Sequence, residues 1–277
     1  MSNPSQQGQP AYGMVGGCIH QLRLFFIALQ FFTRLPIPRW VGYEPDWLQH
    51  ASRYYPLVGM VVAVVAAGVY FASALVLPPA IAVVLSTIAG VYLTGAFHED
   101  GFADVCDGFG GGYTPARVLE IMKDSRIGAY GAIGIGLLLL LKCMALAHLP
   151  LQAAVAALLI AHPLSRLFSA ALIWRLDYAK EEGKAKPLAQ SMSTMEFSIA
   201  AFTACLPLAA VGLAGWLSWW ALLAGATAAA VATIWFARFF VRRIGGFTGD
   251  CLGAVQQVAE VMIYLGVLAS MRGGILL

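Results

Sequence analysis

Long apolar runs separated by short polar links dominate the chain from about residue 54 onward. Read by run length, they predict about seven membrane spans, near ~54–77, ~79–97, ~127–148, ~151–173, ~197–216, ~219–241 and ~250–271, because roughly 20 apolar residues in helical conformation cross a bilayer. An earlier segment, about Ile19 to Leu35, is shorter and carries Arg23, Gln30 and Arg34. It reads as a helix lying in the membrane interface, ended by Pro36 and Pro38. The polar, Gln-, Gly- and Pro-rich residues 1–18 read as a disordered tail, and 19–277 as one integral membrane domain. The predicted fold class is an all-α polytopic bundle.

Composition agrees. Hydrophobic residues make up 60% of the 277 and charged residues only 11%, against roughly 25% charged in soluble domains. A net charge of +3, with no basic stripe, excludes nucleic acid as the expected partner. The five cysteines are spaced far apart without a CxxC pair, which argues against zinc and against a disulfide framework.

Orientation follows from the basic residues. Alternating from the link that holds HEDGFADVCDG (98–108), one side collects Arg34, Arg39, Arg53, Arg117, Lys123, Arg126, Arg175, Lys180, Lys184, Lys186, Arg238, Arg242 and Arg243. The other side has only short links with Trp216, Trp219 and Trp220 as interface anchors, and Lys142 and Arg272 as its nearby cations. Positive charge marks the cytoplasmic face, so the acidic link is expected there. Gly128, Gly131, Gly134 and Gly136 suggest close helix packing.

The candidate chemistry begins in that acidic link. Asp100, Asp104 and Asp107 share one helical stripe, and three adjacent carboxylates repel unless a cation joins them. Oxygen-only ligands suit Mg²⁺ shared with substrate phosphates, with a solvated acidic helix end as the plain alternative. Lys123, Asp124 and Arg126 precede a span, where cations can hold phosphate oxygens. Ser165 and Arg166 lie inside a span, where an arginine is costly and points to a partner; it is expected to face the same cavity as the aspartates. Gly245, Gly246 and Gly249 frame Thr248 and Asp250 at a helix start. Asp250, Gln257 and Glu260 then run down one face, read together with Gln256 as a polar lining shared with the acidic helix. His98 is a candidate general base, with a structural role as the alternative. Together these groups fit metal-assisted phosphoryl transfer.

The blocks FFTRLPIP, YYPLVGM, LTGAFHEDGFADVCDGF, RVLEIMKDSRIGAYG, LSR, YAKEEG and GGFTGDCLGA occur in one order over about residues 24–265. In that order the chain resembles the cobalamin synthases (adenosylcobinamide-GDP ribazoletransferases). The acidic block departs slightly at Glu99, where members of the family often have a leucine-type residue, so Asp100, Asp104 and Asp107 carry over as metal ligands and Glu99 does not.

The resemblance implies a Mg²⁺-dependent enzyme of the bacterial inner membrane, with its active site on the cytoplasmic side. α-Ribazole or its 5′-phosphate would be joined to adenosylcobinamide-GDP with release of GMP. His98, Asp124 and Arg126 are then the catalytic candidates, and Lys123, Ser165, Arg166, Thr248, Asp250 and Gln257 the substrate-binding ones. A membrane enzyme like the CDP-alcohol phosphotransferases, or an ion-coupled transporter using Arg166 and Glu260, are the alternatives. Besides these substrates, the lipid bilayer is the expected partner, and a homo-oligomer is left open. A topology reporter fused after Arg243 is expected to give a cytoplasmic signal and one fused after Leu77 an external signal; a periplasmic signal at Arg243 would reverse the orientation.

Overall fold

The computed structural model describes residues 14–179 and 191–273. Lys180, Lys184, Lys186, most of the YAKEEG block and residues 1–13 of the expected tail therefore lie outside the described residues. The helices are α1 Met14–Phe32, α2 Pro45–Ala51, α3 Tyr55–Ala74, α4 Pro79–Thr94, α5 Phe97–Gly111, α6 Pro115–Met122, α7 Ala129–Ala147, α8 Leu151–Arg175, α9 Thr194–Leu213, α10 Trp219–Ile244 and α11 Gly249–Gly273. Among the described residues there is no strand, only one isolated bridge between Tyr178 and Phe247. The chain is an all-α bundle with the features of a multi-pass membrane protein.

Six helical segments are long and apolar enough to cross a bilayer: Asp46–Ala74, Ala129–Ala147, Leu151–Arg175, Thr194–Leu213, Trp219–Ile244 and Gly249–Met271. The expected second span is the exception. It stops at Thr94, and after a 90° bend the chain continues as α5. Two successive left-handed residues make the bend, Gly95 (φ +66°) and Ala96 (φ +59°). Glycine adopts that conformation without penalty, whereas alanine does so at a cost of about 1–2 kcal/mol. α1 begins at Met14, so residues 14–18 belong to a helix and not to the tail.

Elsewhere the ends follow local chemistry. Ser193 and Glu196 form a capping box at the start of α9. Ser218 caps α10, which ends on Gly245 in the left-handed region (φ +79°). The short links 75–78, 148–150 and 214–218 share one end of the bundle. The acidic helix and the other long connections share the opposite end, which matches the asymmetry of basic residues.

α8 and α11 form the centre. Their apolar windows are 78% and 72% buried, while no other membrane-length segment exceeds 39%. α3 lies against α8 so closely that a side chain on Gly59 would begin 2.6 Å from the His162 carbonyl oxygen. Gly59→Leu is therefore expected to cost about 1–3 kcal/mol or more through overpacking, read as a lower melting temperature in detergent. Gly68→Ala on the same helix has open space around it and should stay within about 0.5 kcal/mol of wild type.

Candidate active site

α5 carries the acidic stripe, and it crosses α11 at glycines on both helices. A side chain at Gly101 would start 3.0 Å from the Asp250 Cα, and one at Gly253 would start 3.1 Å from the His98 carbonyl oxygen. This crossing brings the half-buried Asp250, in the first turn of α11, to the stripe. The expected convergence of residue 250 with the 100–107 stripe is what the structure contains.

The carboxylates there are crowded. α5 is not one of the six membrane-length segments, and Asp104 on it is partly buried. Burial first, then the charges of Asp250, Asp100 and Asp107, push its carboxyl up to about 7. Asp107 differs from its neighbours. Its Oδ2 accepts the Gly128 N–H (2.6 Å) and its Oδ1 accepts the Gly131 N–H (2.8 Å). Both oxygens thus serve the N-terminus of α7, whose unpaired N–H groups and dipole favour an anion. Asp107, expected as a metal ligand, is engaged as the anchor between α5 and α7. Side chains on Gly128 or Gly131 would overlap that carboxylate, and one on Gly134 would meet Cys106. Gly136 has nothing nearby, so three of the four glycines expected at a helix contact are there.

Beside Asp107 opens a cavity of about 650 Å³, lined also by Arg117, Glu120, Asp124, Arg126 and Tyr130. Asp124 and Arg126 are paired with each other, Arg126 Nη2 to Asp124 Oδ2 at 2.6 Å. This pairing lowers the Asp124 carboxyl below its ordinary range. Lys123 is exposed at the end of α6. Arg117 and Tyr130 were not singled out from the sequence; Arg117 looked like one more loop cation, and only the cavity distinguishes it.

Other expected site residues are placed differently. His98 is 4% exposed and stacks on Phe32 (5.3 Å, 13°). Helical geometry turns it roughly 150° away from the aspartate stripe, so it does not join the carboxylates. Thr248 accepts the Cys251 N–H (3.4 Å), as a cap of α11. Ser165, Arg166 and Gln257 are buried at 0%, 2% and 2% exposure, because they sit well inside the long helices α8 and α11.

Arg166 lines a small interior cavity with Glu99, Lys142 and Glu260, not the one beside Asp107. Lys142, expected near the outer side, is 5% exposed and pairs with Glu260 at 2.5 Å. A lysine within LLLLLKCMAL was the sequence signal for an interior partner. The polar lining shared by α11 and the acidic helix is present, since Gln257 Nε2 donates to Glu99 Oε1 (2.9 Å).

Among the described residues, no group of three or more His, Cys, Asp or Glu side chains gathers closely enough to hold a metal unaided. The donors are nonetheless hard oxygens in negative surplus, which suits an ion that completes its shell with water and phosphate.

Comparison with known proteins bears on these same residues. The model of the family described as cobalamin-5-phosphate synthase matches residues 24–268, which include every candidate position above. An adenosylcobinamide-GDP ribazoletransferase of Leptothrix cholodnii is 49% identical over 264 residues, covering 91% of this chain and 97% of that one. The protein of that name from Shewanella frigidimarina is 44% identical over 262 residues, 91% and 96% of the two chains. The one from Ralstonia nicotianae is 46% identical over 252 residues, 89% and 95%. No solved structure matches the chain.

The crowding at Asp104 has a measurable consequence. The folded chain holds this proton to about 7, whereas the ordinary carboxyl value is 3.8. The native state therefore binds more protons between those values, and stability falls as pH rises through them. In metal-free detergent solution, wild type is expected to lose melting temperature between about pH 4 and about pH 7 relative to Asp104→Asn, in which this contribution is absent. Parallel pH profiles for the two proteins would contradict the crowding.

Proposed function

Because the chain belongs to the cobalamin-5-phosphate synthase family, we propose that it is a membrane-bound adenosylcobinamide-GDP ribazoletransferase. It joins α-ribazole, or its 5′-phosphate, to adenosylcobinamide-GDP in the assembly of the cobalamin nucleotide loop. The ribazole 3′-hydroxyl oxygen forms a bond to the corrinoid-linked phosphorus. The bond from that phosphorus to the bridging oxygen of the diphosphate breaks, GMP leaves with the bridging oxygen, and the hydroxyl proton is lost. Adenosylcobalamin, or its 5′-phosphate, is the product.

The observation that carries this reading is the meeting of the acidic stripe of α5 with Asp250, with Asp107 of the same stripe opening on a cavity rimmed by Arg117 and Arg126. Carboxylates alone would repel a diphosphate. Mg²⁺ held by Asp100, Asp104 and Asp250 would neutralise charge on the phosphate oxygens, as phosphoryl transfer requires. Asp107 keeps the stripe in place by binding the α7 N-terminus. Arg126 and Arg117, which line the same cavity, suit the phosphate of departing GMP as bidentate donors. Tyr130, an exposed residue whose ring lies over Gly110, offers a flat face for a base. The basic residues that share this end of the bundle support a site on the cytoplasmic side of the bacterial inner membrane, where a nucleotide-activated substrate is available.

GMP release by purified protein supplied with adenosylcobinamide-GDP, α-ribazole and Mg²⁺ tests the proposal. Asp104→Asn and Asp250→Asn are each expected to lower that rate by about a hundredfold or more, with wild-type elution from a sizing column. Removing divalent cations with EDTA should abolish it, and Mg²⁺ should restore it. Wild-type rates in both variants at limiting Mg²⁺ would rule out the metal assignment.

A further inference from the structure

A second polar cluster lies behind α5, among the spans. Glu260, 1% exposed, accepts from Lys142 Nζ (2.5 Å), Gln256 Nε2 (2.7 Å) and the Tyr264 hydroxyl (2.9 Å). Gln256 Oε1 accepts from Gln257 Nε2 (3.0 Å), which also donates to Glu99 Oε1 (2.9 Å). Hydrogen bonds therefore run without a break from α7, along α11, to the residue beside Asp100. Burying such ions costs several kcal/mol each, and a buried pair adds little net stability over a well-packed apolar one. Stability alone does not account for the cluster.

The network also leaves polar atoms unmet. Glu99 Oε2, Gln257 Oε1, Arg166 Nε and His162 Nε2 are buried without a hydrogen-bond partner, while His162 Nδ1 lies 3.3 Å from Glu260 Oε2. All four side chains line one cavity of about 20 Å³, which is room for about one water. Two unmet acceptors and the unmet arginine donor around such a space match a molecule that both donates and accepts. On the same stretch of chain, Ala96 holds a left-handed φ of +59°, a conformation that persists only where its surroundings impose it.

We propose that Glu99 is the positioning residue of the aspartate helix. Bonded to Gln257 and bridged by a buried water to Arg166, it fixes the angle at which α5 leaves α4, and with it the face that Asp100 and Asp104 turn to Asp250. The functional part of this inference rests on those aspartates being the metal and diphosphate site.

Cys106 supplies a readout independent of metal and substrate. Its sulfur lies 2.6 Å from where a side chain on Gly134 of α7 would begin, so its reactivity reports whether α5 is seated. In full-length protein with Cys18, Cys143, Cys205 and Cys251 replaced by serine or alanine, maleimide labelling of Cys106 is expected to accelerate severalfold in Glu99→Ala and in Gln257→Ala. The double variant should label no faster than either single one, because both remove the same link. Glu99→Gln, whose amide oxygen still accepts from Gln257, should return the wild-type rate, which a general loss of stability would not do. Mn²⁺ affinity, followed by the paramagnetic resonance of the free ion, should fall about tenfold in Glu99→Ala. Wild-type labelling in both single variants, or effects that add in the double variant, overturns the proposal. Unchanged Mn²⁺ binding in Asp104→Asn with Glu99 intact refutes the metal reading instead and leaves the labelling result standing.

Discussion

The crossing of α5 over α11 is the constraint on which the rest of the site depends. Gly101 and Gly253 let two backbones meet at a distance that a Cβ on either would close. Only at that separation does Asp250, from the last membrane-length helix, reach the carboxylates of the acidic helix. The same contact explains why the chain bends by 90° after Thr94. A straight continuation of α4 would carry the stripe along the direction of the spans and away from the start of α11. The left-handed pair at Gly95 and Ala96 absorbs the change of direction, and the close contact helps offset its strain.

Two polar groups then lie on different sides of one short helix, with opposite electrostatic states. Inside the bundle, Glu99 and Glu260 are matched by Lys142 and Arg166, so the ions balance where water is scarce and imbalance is most costly. At the mouth, Asp100, Asp104 and Asp250 have a surplus of negative charge next to solvent. A cation is drawn to that surplus, and a substrate phosphate on Arg126 or Arg117 would take the place of Asp124 or Glu120. A balanced interior and an unbalanced mouth let the bundle stay rigid while the open face binds and releases charged molecules.

Asp107 and Arg243 hold the far end of α5. The carboxylate takes two N–H groups from the start of α7, and Arg243 Nη2 donates to the Gly112 carbonyl oxygen at 2.6 Å. With Glu99 bonded at the near end, the helix is fixed at both termini by side chains of α10 and α11 and by backbone N–H groups of α7. A short helix is not stable by propensity alone. Its geometry is set by tertiary contacts, and its functional face inherits their precision.

The amino-acid pattern alone determined six of the seven expected spans, because the bilayer leaves a backbone few ways to satisfy its hydrogen bonds and each crossing must be a long apolar helix. It also determined the stripe at 100, 104 and 107, since helical period is a local property, and the nearness of Asp250 followed from polar residues needing company inside a membrane. Other features depended on the direction of side chains in three dimensions. Whether His98 faces the carboxylates or Phe32, whether Arg166 lines the mouth or the interior cavity with Glu99, and whether Asp107 is open or capped by the α7 N-terminus were decided by the bend at Gly95 and Ala96 and by the depth at which α8 crosses. Lys142 shows the limit most clearly. Spacing put it near an outer loop, but its partner Glu260 is 118 residues away in sequence, and only the packed bundle brings the two charges together.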